Sequence, residues 1–200
     1  VDHLKSAKAR RVFITDGDVG SAASRGYAVE TVGAELVPLC GADWKAVRRL
    51  PTGWPALSQA LVGEEILKAD ALVNFSHVKG HGDCGFGGAC KNLAMGCVPP
   101  ETRRDLHQLE GELVWNKAKC TKCRKCIEVC PTNANSFSDG GEYRIFWHDC
   151  KLCQHCVLAC PVKAIDIPRR SFAIFQEGLA RVAKLILDQF AADDVFNINV

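Results

Sequence analysis

The sequence has almost no net charge: 25 Lys and Arg against 23 Asp and Glu leave a formal +2 over 200 residues. That balance gives no global electrostatic argument for a nucleic-acid partner or a membrane surface. No apolar run approaches the roughly eighteen residues that a membrane span needs. The segment Ala71-Leu72-Val73-Asn74-Phe75 has only the length of a buried strand. The amino terminus, VDHLKSAKARRVF, is basic but lacks the apolar stretch and small-residue cleavage site of a secretory signal. An initiator methionine is missing, and the closing VFNINV reads as a buried strand that simply stops, so an incomplete chain is expected. With 48% hydrophobic and 24% charged residues, the rest is an ordinary globular composition, long enough for one or two domains. The expected compartment is the cytoplasm, where disulfides are rare and clustered cysteines bind metal.

Cysteine is abundant, and it is organised. KAKCTKCRKCIEVCPTNANS, from Lys117, aligns with WHDCKLCQHCVLACPVKAID, from Trp147, at an offset of thirty positions. Cys120, Cys123, Cys126, Cys130 and Pro131 thereby fall on Cys150, Cys153, Cys156, Cys160 and Pro161. Between the copies, Ser138-Asp139-Gly140-Gly141 is turn chemistry and EYRIFW alternates as a strand does. Residues 115–168 are read as one compact module of small helices and hairpins.

The flanks differ in pattern. Strands are expected at Arg11–Thr15, Glu35–Leu39 and Ala71–Phe75, with helical stretches at Ala22–Val32, Glu64–Ala69 and Gly87–Met95. Beyond Pro168, the residues Phe172, Phe175, Leu179, Val182, Ile186 and Phe190 recur at helical spacing, predicting an amphipathic helix from Ser171 to Phe190. Its simplest role is to cover a core. The expected fold is therefore an α/β domain with a mostly parallel sheet, in two parts (residues 1–114 and 169–200). An α+β two-cluster module is inserted between them.

The run C-x2-C-x2-C-x3-C-P suits an iron–sulfur cubane. Its first three thiolates sit on one tight loop, and the fourth points away towards the other cluster of a two-cluster protein. Doubling of the run closes the exchange. One 4Fe–4S cluster is expected on Cys120, Cys123, Cys126 and Cys160, the second on Cys150, Cys153, Cys156 and Cys130. Zinc is the rival guest, but it favours well-separated cysteine pairs over two identical runs. At these residues the sequence resembles the bacterial two-cluster ferredoxins, over roughly a quarter of the chain. Clusters crossed in this way suit electron transfer, although a purely structural role is the alternative. Lys117, Lys119, Lys122, Arg124 and Lys125 surround the first run, as a solvated face or as a docking patch for an acidic redox partner. Around the second run the charge is mixed, with Asp149, Lys151 and His155, so electrons are expected to enter at the first.

The stretch NFSHVKGHGDCGFGGACKNLAMGC, Asn74 to Cys97, follows a strand at the sheet edge where α/β proteins place their sites. It matches neither G-x-G-x-x-G nor a Walker loop. Three readings compete for it. His77, Lys79, His81 and Lys91 line a pocket for a small anionic ligand, histidine serving as acid or base and lysine as anion clamp. Alternatively, His77, His81, Cys84, Cys90 or Cys97 hold a further metal, or the glycines and cysteines merely pack the loop. Cys40, alone at a strand end, reads as buried and inert.

The strand followed by HxKxHG, then GFGGACKNLAMGC, a downstream His107 and the doubled cysteine run together resemble the family named domain of unknown function 362. That resemblance runs from about Ile14 onward and includes VFNINV. It implies an iron–sulfur protein of anaerobic metabolism without a settled reaction, and its members are longer at both ends. Cys84 and Cys90 stand where the family has other residues, so the resemblance assigns them no role. The functional expectation is an electron-transfer protein or reductase subunit of unknown substrate. The alternative is a non-enzymatic scaffold whose clusters are structural.

Overall fold

The computed structural model describes the whole chain except residues 18, 20, 21, 148, 151 and 168–170. Lys151 and Pro168, both used in reading the sequence, lie outside the described residues. The fold mixes helices with small sheets: the described residues form six two-stranded sheets, of which two are parallel. Two compact units emerge, one from residues 1–102 with 177–200, the other from 103–176.

In the first unit, β1 (Phe13–Asp16) runs parallel to β2 (Glu35–Pro38), with Phe13 opposite Glu35. The helix expected between them is reduced to a 3-10 turn at Ala23–Arg25 and the single turn α2 (Val29–Val32), because Gly26 at φ 87° interrupts it. Gly33, at φ 72°, then closes α2 in the left-handed conformation that a non-glycine residue adopts at a cost. The hairpin β3 (Val47–Trp54) and β4 (Leu57–Gly63) has no clear counterpart in the sequence pattern. Pro51 and Gly53 sit inside β3 and disguise it; a register shift between Pro51 and Trp54 absorbs both. Gly63 ends β4 against Leu39, whose carbonyl oxygen would lie 2.7 Å from any added Cβ.

The second parallel pair joins distant parts of the chain. β5 (Leu72–Ser76) pairs with β12 (Val195–Asn199), Asn74 opposite Asn197 and Ser76 opposite Asn199. α3 (Ala89–Gly96) packs on both strands. Alternation then sorts the residues in an unusual sense. Asn74 and Ser76 are buried, whereas Val73, Phe75, Phe196 and Ile198 are exposed. The sequence reads both strands as buried for their apolar content, but the buried face of β5 is polar and no residue of β12 is buried. A short antiparallel pair, β6 (Lys79–His81) with β7 (Gly85–Gly87), links β5 to α3. α4 (Pro100–Gln108) starts on a proline, which fits a first helical turn that needs no N–H donor.

The second unit is built on the thirty-residue repeat. α5 (Lys125–Glu128) packs on α6 (His155–Ala159), β9 (Asn135–Phe137) pairs with β10 (Tyr143–Ile145), and β8 (Val114–Trp115) pairs with β11 (Ile165–Asp166). Two backbone bonds interlock the copies: Asn116 N–H donates to the Ala164 carbonyl and Phe146 N–H to the Ala134 carbonyl, each at 2.7 Å. Those four residues are two repeat-equivalent pairs. The last helix, α7 (Phe172–Leu187), buries Phe175, Leu179, Val182, Ala183 and Ile186 along one stripe. Burying such aliphatic side chains stabilises a helix by about 1.5–3 kcal/mol each. Phe172, expected in the same stripe, is exposed. Among the described residues, no helix is long and apolar enough to cross a membrane.

Candidate metal centre

All twelve cysteines are free of disulfides. The eight of the repeat surround two cavities in the second unit. One, with about 280 Å³ of space that is partly open to solvent, is lined by Cys150, Cys153 and Cys156 together with Cys130. The other, of about 290 Å³, is lined by Cys120, Cys123 and Cys126 together with Cys160. Each cavity thus takes three cysteines from one run and the last cysteine from the other. Among the described residues, no three His, Cys, Asp or Glu side chains converge on one metal-ion position.

Backbone strain concentrates in the same loops. Of eight non-glycine residues with positive φ among the described residues, six form three repeat-equivalent pairs: Lys122 with Leu152, Arg124 with Gln154, and Asn133 with Lys163. Left-handed geometry costs a side-chain-bearing residue about 1–2 kcal/mol, so its repetition at matched positions marks a constraint. Arg124 and Gln154 occupy the cap positions of α5 and α6. A chain that alternates left- and right-handed residues gathers successive N–H groups into a concave anion site. Three backbone bonds to sulfur follow: Lys122 N–H to Cys120 at 3.4 Å, Ala134 N–H to Cys130 at 3.2 Å and Ala164 N–H to Cys160 at 3.1 Å.

These donors divide the thiols into two kinds. Burial pushes Cys130 and Cys160 up, but the N–H groups that follow each of them outweigh it and hold both below the usual thiol value. Burial pushes Cys150 and Cys156 up, and Cys126 up to about 11 with the nearby Cys156 adding to it. Cys126 and Cys156 belong to the buried core of the unit, with Leu113, Leu152 and Ile165. Trp115, Phe137 and Tyr143 pack around that core, ring centroids 5.6–6.3 Å apart. Burial first, then the charges of Cys156, Cys126 and Cys150, hold the Tyr143 hydroxyl far above its usual value, so it stays a donor.

The residues singled out in the upstream loop belong to the first unit. His77 and Lys79 are exposed. His81 is half-buried; its Nδ1 accepts the Asp83 N–H at 3.2 Å. Lys79 and His81 alternate to the same face of β6, and Lys79 pairs with Gly87. The Lys91 side chain lies over Gly87, 3.4 Å from an added Cβ, so two lysines flank that glycine. Cys84 hydrogen-bonds the Phe86 carbonyl at 3.2 Å, Cys90 is exposed, and Cys40 and Cys97 are buried. The five basic residues near the first run, Lys117, Lys119, Lys122, Arg124 and Lys125, are all exposed, with Lys117 paired to Glu142.

Beneath the loop lies an amide network that sequence reasoning missed. Asn74 Nδ2 donates to Asn197 Oδ1 at 2.8 Å and to the Ala89 carbonyl at 3.0 Å. Its Oδ1 accepts Asn92 Nδ2 at 2.8 Å and the Ser76 hydroxyl at 3.2 Å. Asn199 Oδ1 accepts the first N–H of α3, from Ala89, at 3.0 Å. The same oxygen would sit 3.2 Å from a Cβ at position 88, which explains the glycine there. The legible signal was the alternation of Asn with apolar residues in VFNINV.

Fold and site together define a mixed helix-and-strand protein with two cysteine-lined cavities in one unit. The chain belongs to the family described as a domain of unknown function, DUF362, which matches residues 1–199. A search of curated proteins finds no match to this chain.

Proposed function

We propose that this protein is an iron–sulfur electron-transfer protein or reductase subunit that holds two 4Fe–4S clusters. The observation that carries the reading is the crossed sharing of cysteines between the two cavities. The donor set fits such a guest. Two four-cysteine runs that share ligands across two cavities suit a polynuclear group, whereas zinc favours well-separated cysteine pairs around one centre. N–H groups aimed at Cys120, Cys130 and Cys160 suit ligands that carry negative charge. In this reading Cys120, Cys123, Cys126 and Cys160 hold one cluster, and Cys150, Cys153, Cys156 and Cys130 the other. When bound, the clusters supply one-electron chemistry. The chain's own part is to bind them, to exclude water with the Leu113, Leu152 and Ile165 core, and to bias their charge by hydrogen bonds to sulfur.

The finer architecture follows the same reading. The repeat forms a ferredoxin-like module inserted into a domain of α/β character, and a reducing compartment such as the cytoplasm keeps its thiols available. The exposed basic residues from Lys117 to Lys125 offer an acidic redox protein a docking face. Lys79 and Lys91, with His77 and His81, are the place for a small anionic ligand. A structural role for the clusters is the second reading, favoured by the membership of Cys126 and Cys156 in the core of their unit.

The test is anaerobic purification with metal and sulfide analysis. About eight irons and eight labile sulfides per chain, with visible absorption that dithionite bleaches, are expected. Zinc in place of iron would overturn the proposal. Iron that no accessible potential reduces would favour the structural role.

A further inference from the structure

Because one repeat builds both cavities, any difference between them is a difference at equivalent positions. Thr132 and Asn135 line the cavity of Cys130, Cys150, Cys153 and Cys156. Thirty residues on, Val162 and Ile165 line the other. One cavity carries a hydroxyl and an amide where its twin carries two apolar branched side chains.

The amide is held in place. Asn135 is 5% exposed; its Nδ2 donates to the Cys126 carbonyl at 3.0 Å, and its Oδ1 accepts the Tyr143 hydroxyl at 2.6 Å. The same side chain lines the cavity together with Cys156. Thr132 Oγ1 lies 3.7 Å from the Cys130 sulfur and His155 Nδ1 lies 3.5 Å from that of Cys153. Side chains thus reach two of the four sulfurs in this cavity, and the Asn135 amide lines it beside a third. In its twin, the described hydrogen bonds to Cys120 and Cys160 come from backbone N–H groups.

Resting on the cluster reading above, we propose that Asn135, backed by Tyr143, makes the two sites unequal in potential, with the Cys156 site the more easily reduced. A donor on a ligand sulfur favours the reduced, more negative state. Lys122, Arg124 and Lys125 act the opposite way near the twin cavity, but they are exposed and water screens them. Asn135 is not a ligand and acts from the cavity wall, so it is a positioning residue. Its bond to the Cys126 carbonyl also ties a ligand of one site to a ligand of the other.

The experiment is a potentiometric titration of the whole chain, loaded anaerobically and followed by electron paramagnetic resonance. The natural protein shows two distinct midpoints. Asn135→Ile, which copies the twin position, lowers the upper midpoint only. At a fixed poise the reduced-to-oxidised ratio of that site falls about tenfold, about 59 mV for a one-electron couple. Tyr143→Phe keeps the shape and moves the same midpoint by less, and it decides the matter if Asn135→Ile fails to load. Ile165→Asn raises the lower midpoint. Fully loaded Asn135→Ile or Tyr143→Phe with both midpoints unmoved, or moved equally, overturns the inference and leaves the cluster reading standing. A natural chain that binds no iron overturns both.

Discussion

The cysteine loops of the second unit and the histidine–lysine loop of the first spend their polar groups differently. Around the cysteines, side-chain-bearing residues accept left-handed backbone at six matched positions, and N–H groups turn towards sulfur. Around His77 and Lys79, side chains face solvent, while the demanding polar work lies below them in the buried Asn74 network. In the proposed reading, the strain the cysteine loops tolerate is what a resident cluster requires of them. A loop with exposed ends over a satisfied interior is shaped first for its own stability, and any ligand it takes exchanges with solvent.

That contrast can be broken most forcefully at Cys156. Cys156→Ser removes a sulfur from one cavity and from the buried core at once. Iron per chain is expected to fall from about eight to about four or fewer, with a lower thermal midpoint because ligand binding stabilises the folded state. Unchanged iron content would sever that cavity from the proposed role. Next comes Ile186→Ala in α7, a fully buried site, expected to cost about 2–5 kcal/mol in chemical denaturation. The iron content of folded protein should be unchanged. Asn74→Ala leaves Asn92, Ser76 and Asn197 short of a partner; only Ser76 of the three is buried, so a loss of about 1–3 kcal/mol is expected. A loss well under 1 kcal/mol would show that water replaces the amide. The smallest effect belongs to His77→Ala and Lys79→Ala. Both residues are exposed, so stability should stay within about 0.5 kcal/mol. Calorimetry with inorganic phosphate then reads the loop directly: weaker binding in the variants sharpens its role as an anion site, and equal binding removes it.

Much of this was legible because it is local. The thirty-residue repeat is written in residue spacing, and the stripe of Phe175, Leu179, Val182 and Ile186 in helical period. The β3–β4 hairpin was hidden because Pro51 and Gly53 oppose a strand locally, and only the pairing with β4 overrides them. The polarity of the β5–β12 sheet was hidden for another reason. Alternation separates two faces but does not say which is buried; α3 decides it, by offering Asn74 partners that an apolar residue does not need, while Ser76 bonds Asn74 itself. The inequality of the cavities stood in the aligned repeat, as Thr132 and Asn135 against Val162 and Ile165. It gains meaning only once those positions are known to line the two spaces.

Anomalous diffraction at the iron edge, from crystals grown without oxygen, tests the crossed cavities most directly. Two groups of about four iron positions each, one among Cys120, Cys123, Cys126 and Cys160 and the other among Cys130, Cys150, Cys153 and Cys156, are the expected result. Single-ion peaks at the zinc edge, or iron held by the four cysteines of one run alone, would contradict it.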